Sequence, residues 1–245
     1  MYAKKGRLIP LINTSGQMQM AIDNWLLHQH KLGKIPPTLR FYTWQPVAIS
    51  LGYHQKKIPD FWHNLIWNNT KIDIIKRPSG GRAVLHQGDL TYMIVTSGLK
   101  GNRKQVYQQL CEFLIQGWRN LGIELYYGHS GRGYIHNNSC FSTATDADLI
   151  TIDGVKFIGS AQTIQGHTIL QHGSMNLFND PSLYYQVFNQ EITPIKFEQS
   201  DNKEQLILTI IDTLIKAAQN CFNIEFEQQD LSEQEKLEIS HFSNQ

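Results

Sequence analysis

The chain has 245 residues, of which 41% are hydrophobic, and its formal net charge is +1 at neutral pH. A chain of this length can bury a large core, either as one domain or as a domain with an appendage. The near-zero net charge argues against general nucleic-acid binding, which relies on a basic surface. The sequence has no 18-residue apolar run to span a membrane and no signal-peptide core near its first residue, so we expect a cytoplasmic protein.

Apolar residues recur every three or four positions in three long segments, which predicts amphipathic helices. These segments are residues 17–31, 103–121 and 201–222. A shorter helix is expected to start near Pro59, because proline suits the first turn of a helix.

Short β-type runs separate the predicted helices. We predict strands over residues 39–44, 47–52, 72–77, 83–86, 90–96, 123–127 and 167–178. Residues 148–163 are predicted to form a hairpin that turns at Asp153 and Gly154, a pair typical of tight turns. Because helices and strands are mixed and short turns join several strands, the pattern predicts an α+β fold with a mixed, mostly antiparallel sheet. Residues from about 190 to 245 form either part of this domain or a small helical appendage.

Three cysteines, Cys111, Cys140 and Cys221, form an odd set without a Cys-x-x-Cys pair. This arrangement favours neither a disulfide framework nor a metal site. Cys111 and Cys221 fall in predicted helices, where we expect them to pack as small apolar side chains. Cys140 follows a polar stretch over residues 128–139, where a thiol can be exposed and activated by a neighbouring cation. A buried or incidental thiol is the plain alternative.

A pair of glycines stands between cations in the segment KRPSGGRAVLHQGDLTYMIV, residues 76–95. The plain interpretation is a turn, because glycine permits positive φ and proline fixes the approach. A functional alternative is that consecutive backbone N–H groups form an anion-binding nest, with Arg77 and Arg82 adding charge. The segment lacks the phosphate-binding pattern that would open a helix. We therefore expect it to hold a small acidic or acyl group against a sheet.

Three blocks of this sequence resemble the lipoate–protein ligase, octanoyltransferase and biotin ligase superfamily. The first block matches at Arg77, Ser79, Gly80, Gly81, Ala83, Val84, His86, Leu90, Thr91 and Tyr92. The second block matches at Gly154, Lys156, Gly159, Ser160, Ala161 and Gln162. The third is LQHGSMNL, residues 170–177, and the three blocks follow the order of the family. The resemblance implies one catalytic domain over residues 1–245, with the class II biotin and lipoate ligase fold.

The resemblance also implies where substrate binds and which lysine acts. The implied substrate-binding residues are Arg77, Ser79, Gly80, Gly81, Arg82, Ala83, His86, Gly159, Ser160, Ala161 and His172. Lys156 would contact the acyl carbonyl or an adenylate, because a fixed ammonium stabilises charge that develops on an acyl oxygen. The plain alternatives are a solvent-facing lysine and, for His86 and His172, histidines that satisfy buried backbone groups.

The position of Cys140 distinguishes the branches of this family. Ser139, Cys140 and Phe141, placed before the lysine block, resemble the nucleophile position of octanoyltransferases that serve the glycine-cleavage H protein. Arg82 also resembles that branch, since ligases more often carry a third glycine there. The resemblance implies transfer of an octanoyl or lipoyl group from acyl carrier protein, through a thioester on Cys140, to a lysine of a lipoyl domain or H protein. This route needs no metal or organic cofactor, and it requires Cys140 and Lys156 to approach each other.

Three other functions remain open from the sequence. An ATP-dependent lipoate–protein ligase would use Lys156 for the adenylate and would need ATP and Mg²⁺. A transferase could instead draw on an amidated lipoyl donor. A non-catalytic acyl-binding protein on the same scaffold would keep the pocket without turnover, although the presence of both Cys140 and Lys156 argues against it.

Overall fold

The computed structural model describes residues 4–128, 148–193, 197 and 202–242. The helices of these residues are α1 (Gly16–Lys31), α2 (Arg103–Asn120), α3 (Pro181–Phe188), α4 (Lys203–Phe222) and α5 (Glu233–Phe242), with a 3-10 helix at Asp60–Asn64. The strands are β1 (Lys4–Thr14), β2 (Thr38–Trp44), β3 (Ala48–Leu51), β4 (Ile66–Trp67), β5 (Thr70–Lys71), β6 (Asp73–Lys76), β7 (Val84–His86), β8 (Asp89–Ser97), β9 (Tyr126–Tyr127), β10 (Asp148–Ile150), β11 (Lys156–Gln165), β12 (Thr168–Asn176) and β13 (Ile224–Gln228).

The central sheet has the strand order β13-β1-β2-β8-β12-β11-β10-β9. Strand β1 runs parallel to both β13 and β2, and the other neighbouring pairs are antiparallel. The predicted α+β fold with a mixed, mostly antiparallel sheet is therefore confirmed. None of the helices in the described ranges is long and apolar enough to span a bilayer.

Two hydrophobic clusters cover the opposite faces of this sheet. Tyr92 packs with helices α2 and α4, whereas its neighbour Met93 packs with α1. Successive side chains of a strand point to opposite faces, so the two clusters lie on either side of the sheet. Helix α5 packs against α1, and its Glu235 accepts hydrogen bonds of 2.7 and 2.9 Å from Arg7 of β1.

A small second sheet, in the order β6-β3-β7, packs with helix α3 around a third cluster. Strands β3 and β6 are parallel, and β3 and β7 are antiparallel. The glycine pair lies in the connection from β6 to β7, so this small sheet carries the candidate turn. The predicted strands at 47–52 and 72–77 are confirmed, each with slightly narrower bounds.

The three long predicted helices are confirmed, and side-chain caps explain where they begin. The Ser15 hydroxyl accepts from the backbone N–H of Met18 at the start of α1. Asn102 and Gln105 form a reciprocal capping box at the start of α2. The helix predicted near Pro59 is a 3-10 helix. The predicted hairpin is confirmed, with Gly154 in the left-handed region at φ +80°.

Some elements carry weak sequence patterns and were not predicted. Strand β1 contains Pro10, and its register with β2 shifts between Ile9 and Ile12, where the proline is accommodated. Strand β13 and helix α5 are short and largely exposed, so they lack a strong apolar period. The strand predicted over residues 123–127 was too long, because the observed strand covers only Tyr126–Tyr127.

The described residues after 202 contact the preceding part of the described chain through three elements. Helix α4 packs closely on α2, since a Cβ added to Gly117 would lie 2.6 Å from a methyl carbon of Leu214. Strand β13 extends the central sheet beside β1, and α5 lies on α1.

Shortening Leu214 tests how strongly α4 contributes to the domain. Leu214 is fully buried, so Leu214→Ala should lower the free energy of unfolding by about 2–5 kcal/mol through lost burial and a residual cavity. Leu208 of the same helix is 48% exposed, so Leu208→Ala should change it by less than about 0.5 kcal/mol. Urea unfolding of both variants measures this, and equal effects would contradict it.

Candidate active site

A cavity of about 810 Å³ is lined by both sheets and by α1, α2 and α3. This volume is in the range typical of small-molecule sites. The sequence-predicted residues that line it are Arg77, Gly80, Gly81, Arg82, Ala83, His86, Lys156, Gly159, Ser160, Ala161 and His172. Ser79 is fully buried and bonds to one of them. Cys140 lies outside the described residues.

Antiparallel pairing of β11 and β12 brings the second and third sequence blocks together. Ser160 faces Gly173 and Ala161 faces His172 across the two strands. A Cβ on Gly173 would lie 2.6 Å from a ring carbon of Tyr92, so only glycine fits there. The same pairing explains why these blocks, separate in sequence, form one wall of the cavity.

The glycine turn, residues 79–82, directs its carbonyl oxygens into the protein. The Ser79 oxygen accepts from the backbone N–H of Tyr53 at 2.8 Å. The oxygens of Gly80 and Arg82 accept from the Arg77 guanidinium at 2.9 and 2.6 Å. Within the described part of the chain, no acceptor bonds the N–H groups of residues 80–82. These donors lie in residues that line the cavity, as an anion-binding nest requires.

Arg77 acts mainly as a support for this turn. Its other terminal nitrogen donates to the backbone oxygen of Ser50 at 2.8 Å and to the Ser50 hydroxyl at 3.1 Å. Burial lowers the pKa of Arg77 to about 10, which leaves the guanidinium charged at neutral pH. Its planar fork therefore ties the turn to strand β3.

Lys156 is one of the lysines that line the cavity, and its ammonium is held by a carboxylate that the sequence did not indicate. Its Nζ lies 2.7 Å from Oδ1 of Asp148, and a Cβ on Gly159 would lie only 3.2 Å from that Nζ. Gly159 thus leaves room for the lysine side chain. Asp148 is also the first described residue after Cys140, and its backbone oxygen accepts from the N–H of Gly128 at 2.9 Å. The two described ends that flank residues 129–147 therefore meet beside Lys156.

His86 is buried between an aspartate and a serine. Its Nδ1 lies 2.8 Å from Oδ2 of Asp89, its Nε2 lies 2.8 Å from the Ser50 hydroxyl, and its ring stacks on Trp44 at 3.8 Å. Burial lowers the pKa of His86 despite the opposing effect of Asp89, and nearby Arg77 lowers it further. This imidazole is therefore neutral at neutral pH.

His172, on β12 of the central sheet, is likewise bonded to a serine and an aspartate. Its Nε2 lies 2.5 Å from the Ser79 hydroxyl, and its Nδ1 lies 2.9 Å from Oδ2 of Asp23. Burial alone would raise the pKa of Asp23, but Arg40, His172 and Tyr42 outweigh it and hold the pKa below its usual range. Both motif histidines line the cavity and also satisfy buried polar groups.

Polar side chains on the α2 side of the sheet continue from Ser160. Its hydroxyl lies 2.8 Å from the Tyr92 hydroxyl, which accepts from the Gln171 amide at 2.7 Å. The same amide lies 3.4 Å from the sulfur of Cys111, which is fully buried. In the described ranges, no cluster of three His, Cys, Asp or Glu side chains is arranged to hold a metal ion.

A methyl group on Gly52 should displace the glycine turn, because its Cβ would collide with the Gly81 carbonyl oxygen. Gly52→Ala is expected to lower the free energy of unfolding by about 1–3 kcal/mol. A Cβ on Gly80 meets no atom within 4 Å, so Gly80→Ala should change it by less than about 0.5 kcal/mol. Thermal or urea unfolding compares the pair, and a stable Gly52→Ala would contradict the observed packing.

Cys111 and Cys221 should be slow to alkylate in the folded protein. Burial raises the pKa of Cys111 to about 12 and that of Cys221 to about 11, so both remain protonated near pH 8, and only a thiolate reacts. Peptide mass spectrometry after iodoacetamide treatment should find both unmodified at pH 8, with Cys221 modified increasingly as the pH approaches 11. A denatured sample, in which every cysteine reacts, is the control; rapid native labelling of Cys111 would contradict its burial.

Comparison with known proteins places this arrangement in a family. The model of the lipoyl protein ligase A/B catalytic domain matches residues 15–206. The octanoyltransferase LipM of Anoxybacillus flavithermus is 32% identical over 97% of this chain and 93% of that protein. The octanoyltransferase LipM of Bacillus subtilis is 31% identical over 96% of this chain and 92% of that protein.

Solved structures share the fold at lower identity. A lipoate protein ligase of T. acidophilum with bound lipoic acid has a TM-score of 0.79 and 21% identity, over 98% of this chain and 95% of that one. A lipoate-protein ligase A bound with ATP gives the same values. The expected ligase-type catalytic fold is therefore confirmed. The chain belongs to the lipoyl protein ligase A/B catalytic domain family.

Proposed function

We propose that this protein is an octanoyltransferase of protein lipoylation, which transfers the octanoyl group of acyl carrier protein to a lysine of a lipoyl domain or glycine cleavage H protein. The observation that carries the proposal is Lys156, whose ammonium is held by Asp148 in the same cavity as the glycine turn. The names and identities of the relatives support octanoyl transfer rather than ligation.

The cavity offers an apolar slot for an eight-carbon chain. The apolar side chains that line it are Met20, Tyr42, Trp44, Val84, Leu85, Tyr107, Tyr184 and Phe188. Most ligand sites combine such walls with a few polar groups that orient the ligand. Here the glycine turn and Lys156 would orient the carbonyl end of the acyl chain.

In the first proposed step, the thiolate of Cys140 attacks the carbonyl carbon of the octanoyl thioester. The bond between that carbon and the donor sulfur breaks, and the donor leaves as a thiol after it takes up a proton. The Lys156 ammonium and the turn N–H groups would stabilise the negative charge that forms on the carbonyl oxygen. The ammonium would also favour the thiolate form of a nearby cysteine.

In the second proposed step, the neutral amine of the acceptor lysine attacks the thioester on Cys140. The amide bond forms, the bond from carbon to the Cys140 sulfur breaks, and the proton lost by the amine returns the sulfur to a thiol. No metal or organic cofactor takes part in this route. The position of Asp148, eight residues after Cys140 and bonded to Lys156, supports an approach of the two groups.

The sequence left open a lipoate ligase, a transferase that uses an amidated lipoyl donor and a non-catalytic acyl-binding protein as alternatives. The likeness to solved ligases supports only the fold, because the identity is 21%. Each alternative differs from the proposal in a testable way. The ligase requires ATP, the other transferase requires an amidated lipoyl donor, and the acyl-binding protein has no turnover.

The proposal predicts a covalent intermediate on Cys140. Wild-type protein mixed with octanoyl–acyl carrier protein without ATP should gain one octanoyl mass, detected by intact-protein mass spectrometry and removed by hydroxylamine. Cys140→Ser should gain none. Cys221→Ser is the matched control and should behave as wild type, because that thiol is protonated at neutral pH.

Two results would contradict the proposal. Acceptor acylation that appears only with ATP and free acid would favour a ligase. An adduct that persists in Cys140→Ser would place the nucleophile elsewhere.

A further inference from the structure

Two buried chains of hydrogen bonds, each formed by an aspartate, a histidine and a serine, end at the glycine turn, and we call them relays. In the first, the Ser79 hydroxyl lies 2.5 Å from Nε2 of His172, and Nδ1 of His172 lies 2.9 Å from Oδ2 of Asp23. Each of these three residues is at least nine-tenths buried. Ser79 is the first residue of the turn, so this relay holds the turn by a side chain.

The second relay reaches the same turn through Arg77. Nδ1 of His86 lies 2.8 Å from Oδ2 of Asp89, and Nε2 lies 2.8 Å from the Ser50 hydroxyl. That hydroxyl lies 3.1 Å from Arg77, whose fork bonds the carbonyl oxygens of Gly80 and Arg82. This relay therefore holds the turn by its backbone.

The carboxylates set the direction of every hydrogen bond in both relays. An ionised carboxylate only accepts, so each imidazole must carry a proton on Nδ1, and in the singly protonated tautomer its Nε2 accepts. Each serine hydroxyl then donates its proton to Nε2 and keeps its lone pairs for another donor. The arrangement at Ser50 agrees, because Arg77 has only donors and approaches the Ser50 oxygen.

We propose that Asp23 and Asp89 are positioning residues for acyl transfer. Each fixes the tautomer of its histidine and thereby the hydrogen bond between that histidine and its serine. These bonds keep the carbonyl oxygens of the glycine turn inside the protein and its N–H groups toward the cavity. The proposal rests on the function proposed above. Neither aspartate lines the cavity, so each acts through other groups. An N–H group turned away from the acyl oxygen would no longer stabilise its charge.

Asp23→Asn separates this role from simple support of a buried ion pair. Arg40 donates to Oδ1 of Asp23 at 2.9 Å, and an arginine cannot accept, so the amide oxygen of the variant must stay at that position. The amide NH₂ then faces Nδ1 of His172 and forces the proton onto Nε2. The bond to Ser79 reverses, although the shape of the side chain is nearly unchanged.

A double-mutant cycle measures whether Asp23 acts through Ser79. We expect Asp23→Asn and Ser79→Ala each to lower kcat/KM for octanoyl transfer about ten- to a hundredfold, as misplacement of a reacting group does. The double variant should lose little more than the larger single loss, because both remove the same positioning. The parallel cycle with Asp89→Asn and Ser50→Ala should be non-additive in the same way.

Glu235→Gln is the matched control. It makes the same carboxylate-to-amide change against a buried arginine, Arg7, but neither residue lines the cavity. Its melting temperature should fall while its kcat/KM stays at the wild-type value, and its effects should add to those of Ser79→Ala. An additive Asp23 and Ser79 cycle, or an equal activity loss in Glu235→Gln, would overturn the proposal.

The histidine tautomers supply a measurement that does not depend on activity or on the stability of a variant. Long-range ¹H–¹⁵N NMR of wild type should show Nδ1–H imidazoles at His86 and His172, and Asp23→Asn should move the His172 proton to Nε2. An Nε2–H or doubly protonated His172 in wild type would overturn the proposal. Wild type with both expected tautomers but no octanoyl transfer would overturn the proposed function alone.

Discussion

The buried carboxylate of Asp23 is the interaction on which the arrangement of the cavity depends. It accepts from Arg40 and Tyr42 of β2 and from His172 of β12, while it is itself carried by α1. Removing a charge from water costs several kcal/mol per ion, so such a group is tolerated only when its partners are well placed. One side chain therefore fixes how the first helix and two central strands meet. The wall that carries the second and third sequence blocks follows from that meeting.

Glycines give the cavity its space, and their positions have separate physical reasons. Gly52 lets the turn lie against strand β3, Gly173 lets Tyr92 approach β12, and Gly159 leaves room for the ammonium of Lys156. Gly81 adopts φ +98°, which side chains rarely tolerate. Because these glycines have no side chain, other groups can approach the backbone closely at the points where an acyl carbonyl would need backbone donors.

The titratable side chains that line the cavity differ in their charge and in the groups they contact. His86 is neutral because burial lowers its pKa, and the guanidinium of Arg77 donates its hydrogen bonds to protein oxygens. Lys156 is different, since its carboxylate partner Asp148 stands at the end of the segment that contains Cys140. In the proposed function, the ammonium of Lys156 would act on the acyl carbonyl, and Arg77 would hold the glycine turn beside it, in keeping with catalysis by preorganised charge.

The sequence by itself determined the features that depend on neighbours along the chain. Periodicity located the long helices, the Asp153 and Gly154 pair located a hairpin, and the three blocks indicated the family and many of the residues that line the cavity. Tertiary structure alone decided the rest. Asp23 and His172 are 149 residues apart, and Asp148, Asp89 and Ser50 belong to no pattern of their own. Parallel pairing of the edge strand β13 with β1 likewise joins segments that are far apart in the chain. The roles of such residues depend on burial and on hydrogen bonds between distant positions, whereas a sequence pattern reflects only residues that are close along the chain.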